Sequence, residues 1–174
     1  MKIKKFTELS LLTAAALIVF VIELRFPDVI PIPGVKLGLA NIFTVYAIYH
    51  FKPAETAMLV FVRVFLGSLF GGNISSVIYS FSGAFMCLLG MILISKIIPA
   101  KYIWLCSIFG AVFHNFGQIC AAIFVTGSFT VLFYLPILLV SGCIAGFFTG
   151  ISAQMILKHT EKSKSNYNKK PEKH

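Results

Sequence analysis

The chain has 174 residues, of which 58% are hydrophobic and 12% charged, with a formal net charge of +9 and a mean hydropathy of +0.90. A soluble domain carries about twice that charged fraction, so the composition excludes an ordinary soluble enzyme or binding module and specifies an integral membrane protein. The basic excess does not call for nucleic acid, because the lysines cluster at the chain ends and at the ends of apolar runs.

Lys2, Lys4 and Lys5 precede an apolar run, an order that also opens a signal peptide. No cleavage context follows the alanines at 14–16, and a first transmembrane helix is predicted over 6–24. Ser10 and Ala14 give it a small-residue face, which suits either packing within the chain or docking of a separate subunit. Residues 25–34 form a long link made stiff and extended by Pro27, Pro31 and Pro33. Further helices are predicted over 35–51, 53–70, 74–98, 103–125 and 130–157, with turns at 71–73 and 126–128. At roughly 20 residues each is long enough to cross a bilayer. The expected fold is an all-α integral membrane protein, a six-transmembrane-helix bundle over residues 1–157, followed by a basic, disordered cytoplasmic tail over 158–174 that lies against anionic lipid.

Six spans place both termini on one side. Lys2, Lys4, Lys5, Lys52, Lys96, Lys101 and the tail lysines fall on that side, leaving Arg25 and Lys36 opposite and Arg63 within the membrane. The positive-inside rule then makes both termini cytoplasmic, in a multi-pass protein of the cell membrane. Depth follows from helix direction: Glu23, Lys36, Asn41, Arg63, His114, Asn115 and Gln118 all fall in the outer half, with Asn73 and Tyr134 at the outer surface. Polar groups near hydrocarbon are disfavoured by a few kcal/mol each, so a shared depth suggests a shared cavity. Two readings stay open. Glu23 and Arg63 suit a structural ion pair, and His114, Asn115 and Gln118 suit interhelical hydrogen bonds. Pooled, the same residues form an outward-facing substrate-binding pocket for a small polar or anionic solute, with Lys36 and Arg63 in positive excess over Glu23.

Other chemistries lack their residues. Asp28 is the only aspartate, so no Asp-rich motif exists to hold magnesium and a diphosphate, and neither a GxxxxGK[ST] loop nor an HExxH motif is present. Cys87, Cys106, Cys120 and Cys143 sit in apolar runs without metal-ligand spacing. No catalytic residue, metal site or cofactor is expected.

Four stretches carry a family resemblance: KLGLAN at 36–41, RVFLGSLFGG at 63–72, HNFGQ at 114–118 and YLPILLVSGCIAGFFTG at 134–150. Together they resemble the membrane family catalogued both as Gx transporters and as heptaprenyl diphosphate synthase component I. That family is similar in size and helix number to the substrate-binding S components of energy-coupling-factor importers. The resemblance implies one of two functions. In the first, the chain captures a solute from outside and works with a coupling transmembrane protein and ATPases, the loop at 27–34 closing over the ligand. In the second, it is a non-catalytic accessory subunit whose soluble prenyltransferase partner binds the magnesium diphosphate.

Overall fold

The computed structural model describes residues 3–23, 38–71 and 74–168. Within them the chain forms α1 (Ile3–Glu23), α2 (Asn41–His50), α3 (Pro53–Gly71), α4 (Ile74–Ser95), α5 (Ile103–Thr126) and α6 (Leu135–Asn168), with short 3-10 turns at Ala100–Tyr102 and Phe129–Tyr134. The result is an all-helical membrane bundle in which five helices are long and apolar enough to cross a bilayer.

The exception is α2. A continuous helix over 35–51 is the expectation from hydropathy alone, but Gly38 takes a left-handed φ of +68° and the helix begins at Asn41. The Asn41 N–H donates to the Gly38 carbonyl at 2.8 Å and that of Ile42 to the Leu39 carbonyl at 3.1 Å, closing a tight turn ahead of the helix. Ten residues rise only about 15 Å, half the hydrocarbon thickness. The described helix sits in the middle of the bundle: Val45 and Ala47 are fully buried, and they join Leu59, Val60, Met91, Ile103 and Ala153 in the core.

Residues 51–55 fix the start of α3. Pro53 occupies the first helical position, where its missing N–H is harmless, and Glu55 reaches back to accept the Lys52 N–H at 2.9 Å. Along α3 the pattern is that of a helix with one face in lipid. Met58, Phe61, Phe65 and Leu69 are exposed, whereas Thr56, Leu59, Arg63 and Ser68 are buried. Gly127, at φ +64°, ends α5 with its N–H on the Ile123 carbonyl at 2.8 Å, as the turn at 126–128 predicts. At the far end, the expected tail is helical at first: α6 continues past Leu157 to Asn168. Its 34 residues rise about 51 Å, more than a bilayer requires, so the helix runs on beyond the hydrocarbon.

Glycines set the spacing of α4, α5 and α6. A Cβ on Gly90 would overlap the Phe113 ring, and one on Gly117 would stand 2.6 Å from the Ser82 carbonyl oxygen. On α6, Gly142, Gly146 and Gly150 recur every fourth residue and face α5, where added Cβ atoms at 146 and 150 would lie 2.9 Å from Ile108 Cα and 2.5 Å from Trp104 Cα. Hydrophobic burial does not drive helices together in lipid, so this close backbone approach supplies the packing energy. The main chain opposite Gly150 cannot yield. Gly150→Ala is therefore expected to destabilise the bundle by about 1–3 kcal/mol, read as a lowered thermal midpoint in detergent; an unchanged midpoint would mean that α5 and α6 do not approach there.

Candidate functional site

α3 turns Arg63 into the bundle, where only 6% of it remains accessible. Burying a guanidinium costs several kcal/mol unless acceptors surround it. Here Nη1 and Nη2 donate to a single oxygen, Asn41 Oδ1, at 3.3 and 3.2 Å. Asn41 can meet them because the Gly38 turn starts α2 at that residue. The remaining guanidinium N–H groups, of five in all, have no hydrogen-bond partner among the described residues.

Glu23, the last residue of α1, is also buried, and its carboxylate accepts the Gly38 N–H. The expected alternative of a Glu23–Arg63 ion pair gives way to two separate bonds, one from each residue to the α2 entrance, and among the described residues Arg63 forms no ion pair. Glu23, Asn41, Arg63, His114 and Gln118 line one cavity of about 70 Å³. Through Gly38, Asn41, His114 and Gln118 it adjoins a second, of about 80 Å³, that runs deeper between α5 and α6 to Ser107 and Thr149. These volumes hold a few waters or a small polar group and fall well short of the roughly 300–1,000 Å³ of drug-sized pockets.

Gln118 gives this chamber its clearest chemical signature. Its Oε1 is shielded from solvent and has no hydrogen-bond partner among the described residues. Gly83 of α4 leaves room for it, since a Cβ there would lie 2.9 Å from both Gln118 Cγ and His114 Cε1. A buried acceptor beside a buried cation with spare donors matches a group that both accepts and donates hydrogen bonds, such as a hydroxylated or protonated acid. Asn115 differs from its neighbours. Its amide donates to the Leu138 carbonyl of α6 across Gly142, so its side chain is engaged in helix packing.

Tyr134 is 51% exposed at the end of the second 3-10 turn and does not line the chamber. Lys36, Asn73 and the loop at 25–34 fall outside the described residues. Ser10 and Ala14 are exposed on α1, which packs instead through Leu9, Ala16 and Glu23, seven residues apart, and through Phe20 against Gly67. Sequence reasoning misses the Ser107–Thr149 hydrogen bond, 3.0 Å long at the deep end, and the glycines that frame it. The every-fourth-residue glycines of α6 are the signal that could find them. Among the described residues no three His, Cys, Asp or Glu side chains gather as a metal-binding set.

At the opposite end, polar contacts tie the helices together. Lys5 pairs with Glu55 at 2.8 Å, Glu8 with His50 at 3.0 Å, and the Tyr49 hydroxyl donates to the Ile98 carbonyl at 3.3 Å. These bonds close one end of the bundle, while the chamber lies toward the other.

Fold and chamber together define a polytopic α-helical membrane protein with a small polar cavity between its helices. The model of the heptaprenyl diphosphate synthase component I family matches residues 12–156, and the chain belongs to that family. No curated protein and no solved structure matches it.

The chamber's polar groups make opposite demands on stability. Asn41→Ala strips Arg63 of its acceptor and is expected to cost about 1.5–3 kcal/mol, with Asn41→Asp restoring most of it. Gln118→Leu removes an unsatisfied acceptor whose burial costs about 1–3 kcal/mol and is expected to leave the thermal midpoint unchanged or raised. A large loss of stability in Gln118→Leu would show that a protein group satisfies the amide.

Proposed function

We propose that the chain is a non-catalytic membrane subunit that holds a small polar or anionic group in the Arg63–Gln118 chamber and works through partner subunits. Family membership favours a particular partner, since the name component I implies another component of a heptaprenyl diphosphate synthase. The sequence agrees with a division of labour: with Asp28 as its one aspartate, the chain has no means of holding a magnesium diphosphate through an Asp-rich motif, so that chemistry belongs to a soluble prenyltransferase. The observation that carries the binding role is the buried guanidinium of Arg63, which lines the same cavity as Gln118 Oε1, each with hydrogen-bonding capacity unused among the described residues. In this reading the lysine-rich termini face the cytoplasm, where a soluble partner is within reach, and the exposed Ser10 and Ala14 stripe of α1 offers a face for a membrane partner.

A second reading, the substrate-binding component of a solute importer, draws its support from the same cavity. The chamber lies toward the end of the bundle away from the Lys5 and His50 contacts, which the lysine distribution makes the outer end. An outward-facing polar chamber suits capture of a solute for a coupling transmembrane protein and ATPases.

Native mass spectrometry of gently solubilised, tagged protein separates the two. A co-purifying soluble prenyltransferase is the expected result, together with a retained small molecule that Arg63→Ala loses while keeping its helical circular dichroism. Coupling and ATPase subunits in its place would transfer the protein to the importer reading. Full retention of the molecule by Arg63→Ala would remove the chamber's role.

A further inference from the structure

A second concavity lies away from the chamber, on the outside of the bundle where α5 begins and α6 leaves the membrane. It measures about 380 Å³ and is lined by Trp104, Phe147, Ile151, Gln154, Met155 and Lys158. Five of the six stand on α6 at i, i+4, i+7, i+8 and i+11, one face of a helix, covering about 16 Å of rise. Trp104 closes the side, edge-on to Phe147 with ring centroids 5.7 Å apart, and it can approach because Gly150 carries no Cβ to meet its backbone.

The groove is graded in polarity. Its inner part is aromatic and aliphatic, with Phe147 and Ile151 only partly covered. Its outer part ends in the Lys158 ammonium, which forms no ion pair among the described residues. Between them Gln154 carries an Oε1 that is shielded from solvent and has no hydrogen-bond partner among the described residues. An apolar floor, an acceptor awaiting a donor and a cation at the mouth have a matching ligand: an apolar chain, a hydroxyl and a phosphate, in that neighbourhood. Tryptophan and lysine at this level belong to the bilayer's interfacial region, where such a molecule already resides.

We propose that this groove is a binding site for a glycerol-headed anionic phospholipid of phosphatidylglycerol type. One acyl chain lies along Phe147, Ile151 and Met155, the phosphate meets Lys158, and a headgroup hydroxyl donates to Gln154 Oε1 after a small side-chain rotation. The inference stands on residues apart from the chamber and is independent of the function proposed for it.

The test is lipid retention by the full chain in native mass spectrometry. The probes are phosphatidylglycerol, phosphatidylethanol of equal charge but without headgroup hydroxyls, and zwitterionic phosphatidylcholine, all with the same acyl chains. The wild type is expected to retain phosphatidylglycerol about fivefold better than phosphatidylcholine, the size of effect one interfacial lysine gives, and about fivefold better than phosphatidylethanol, the size of one hydrogen bond. Lys158→Gln should abolish the first preference and Gln154→Leu the second, with Gln154→Asn, one methylene shorter, as the alternative variant if leucine disturbs folding. Equal retention of the three lipids, or displacement of phosphatidylglycerol by equimolar farnesyl diphosphate, would overturn the assignment.

Discussion

A guanidinium inside a helix bundle is the constraint on which the rest of this structure depends. Arg63 must be kept from lipid and given acceptors, and three features of the fold do this together. α3 presents Met58, Phe61, Phe65 and Leu69 outward, which leaves Arg63 on the inner face. Gly38 breaks the chain at a left-handed turn, so that α2 starts with Asn41 and places its Oδ1 against the guanidinium. Glu23 accepts the Gly38 N–H and so holds the end of α1 to the same turn. The short α2 is a consequence: a helix that begins at the depth of Arg63 runs only ten residues, from Asn41 to His50.

Much of this is legible in the sequence because the signals are large. Hydropathy marks six apolar segments, five of which form helices long enough to span among the described residues, and Arg63, Glu23, His114 and Gln118 stand out as polar groups too costly to face lipid. That they share a depth follows from helix direction, and the structure places them around one chamber with Asn41. The break at Gly38 is not legible in the same way, since LGLAN is as apolar as a helix interior and the sign of one glycine's φ leaves no periodic trace. The partner of a buried charge is equally hidden: charge alone suggests Glu23 for Arg63, whereas a turn that no pattern announces delivers Asn41. The helical course of α6 to Asn168 also escapes a reading by composition, because a polar segment that continues an existing helix needs no new nucleus.

The chamber and the outer groove are related by composition as well as by position. In each, an amide oxygen lacks a partner among the described residues and a cation lines the same cavity, Gln118 with Arg63 and Gln154 with Lys158. Most hydroxyls are paired: Thr13, Thr126 and Ser152 bond to the carbonyl four residues back, and Ser82 reaches the Gly117 carbonyl at 2.8 Å, whereas Thr44 Oγ1 and Ser68 Oγ, like the two amides, are buried with no hydrogen-bond partner among the described residues. Glycines bring α4, α5 and α6 into close approach, around the deeper cavity that reaches Ser107 and Thr149. What sets Gln118 and Gln154 apart is that each lines a cavity with a cation beside it.

The most direct test of the chamber as a ligand site is an experimental density map of the protein purified gently from its own membranes. The account predicts non-protein density within hydrogen-bonding distance of both the Arg63 guanidinium and Gln118 Oε1. A chamber with the Gln118 amide turned onto a protein acceptor or donor, and no density beyond ordered water, would contradict it.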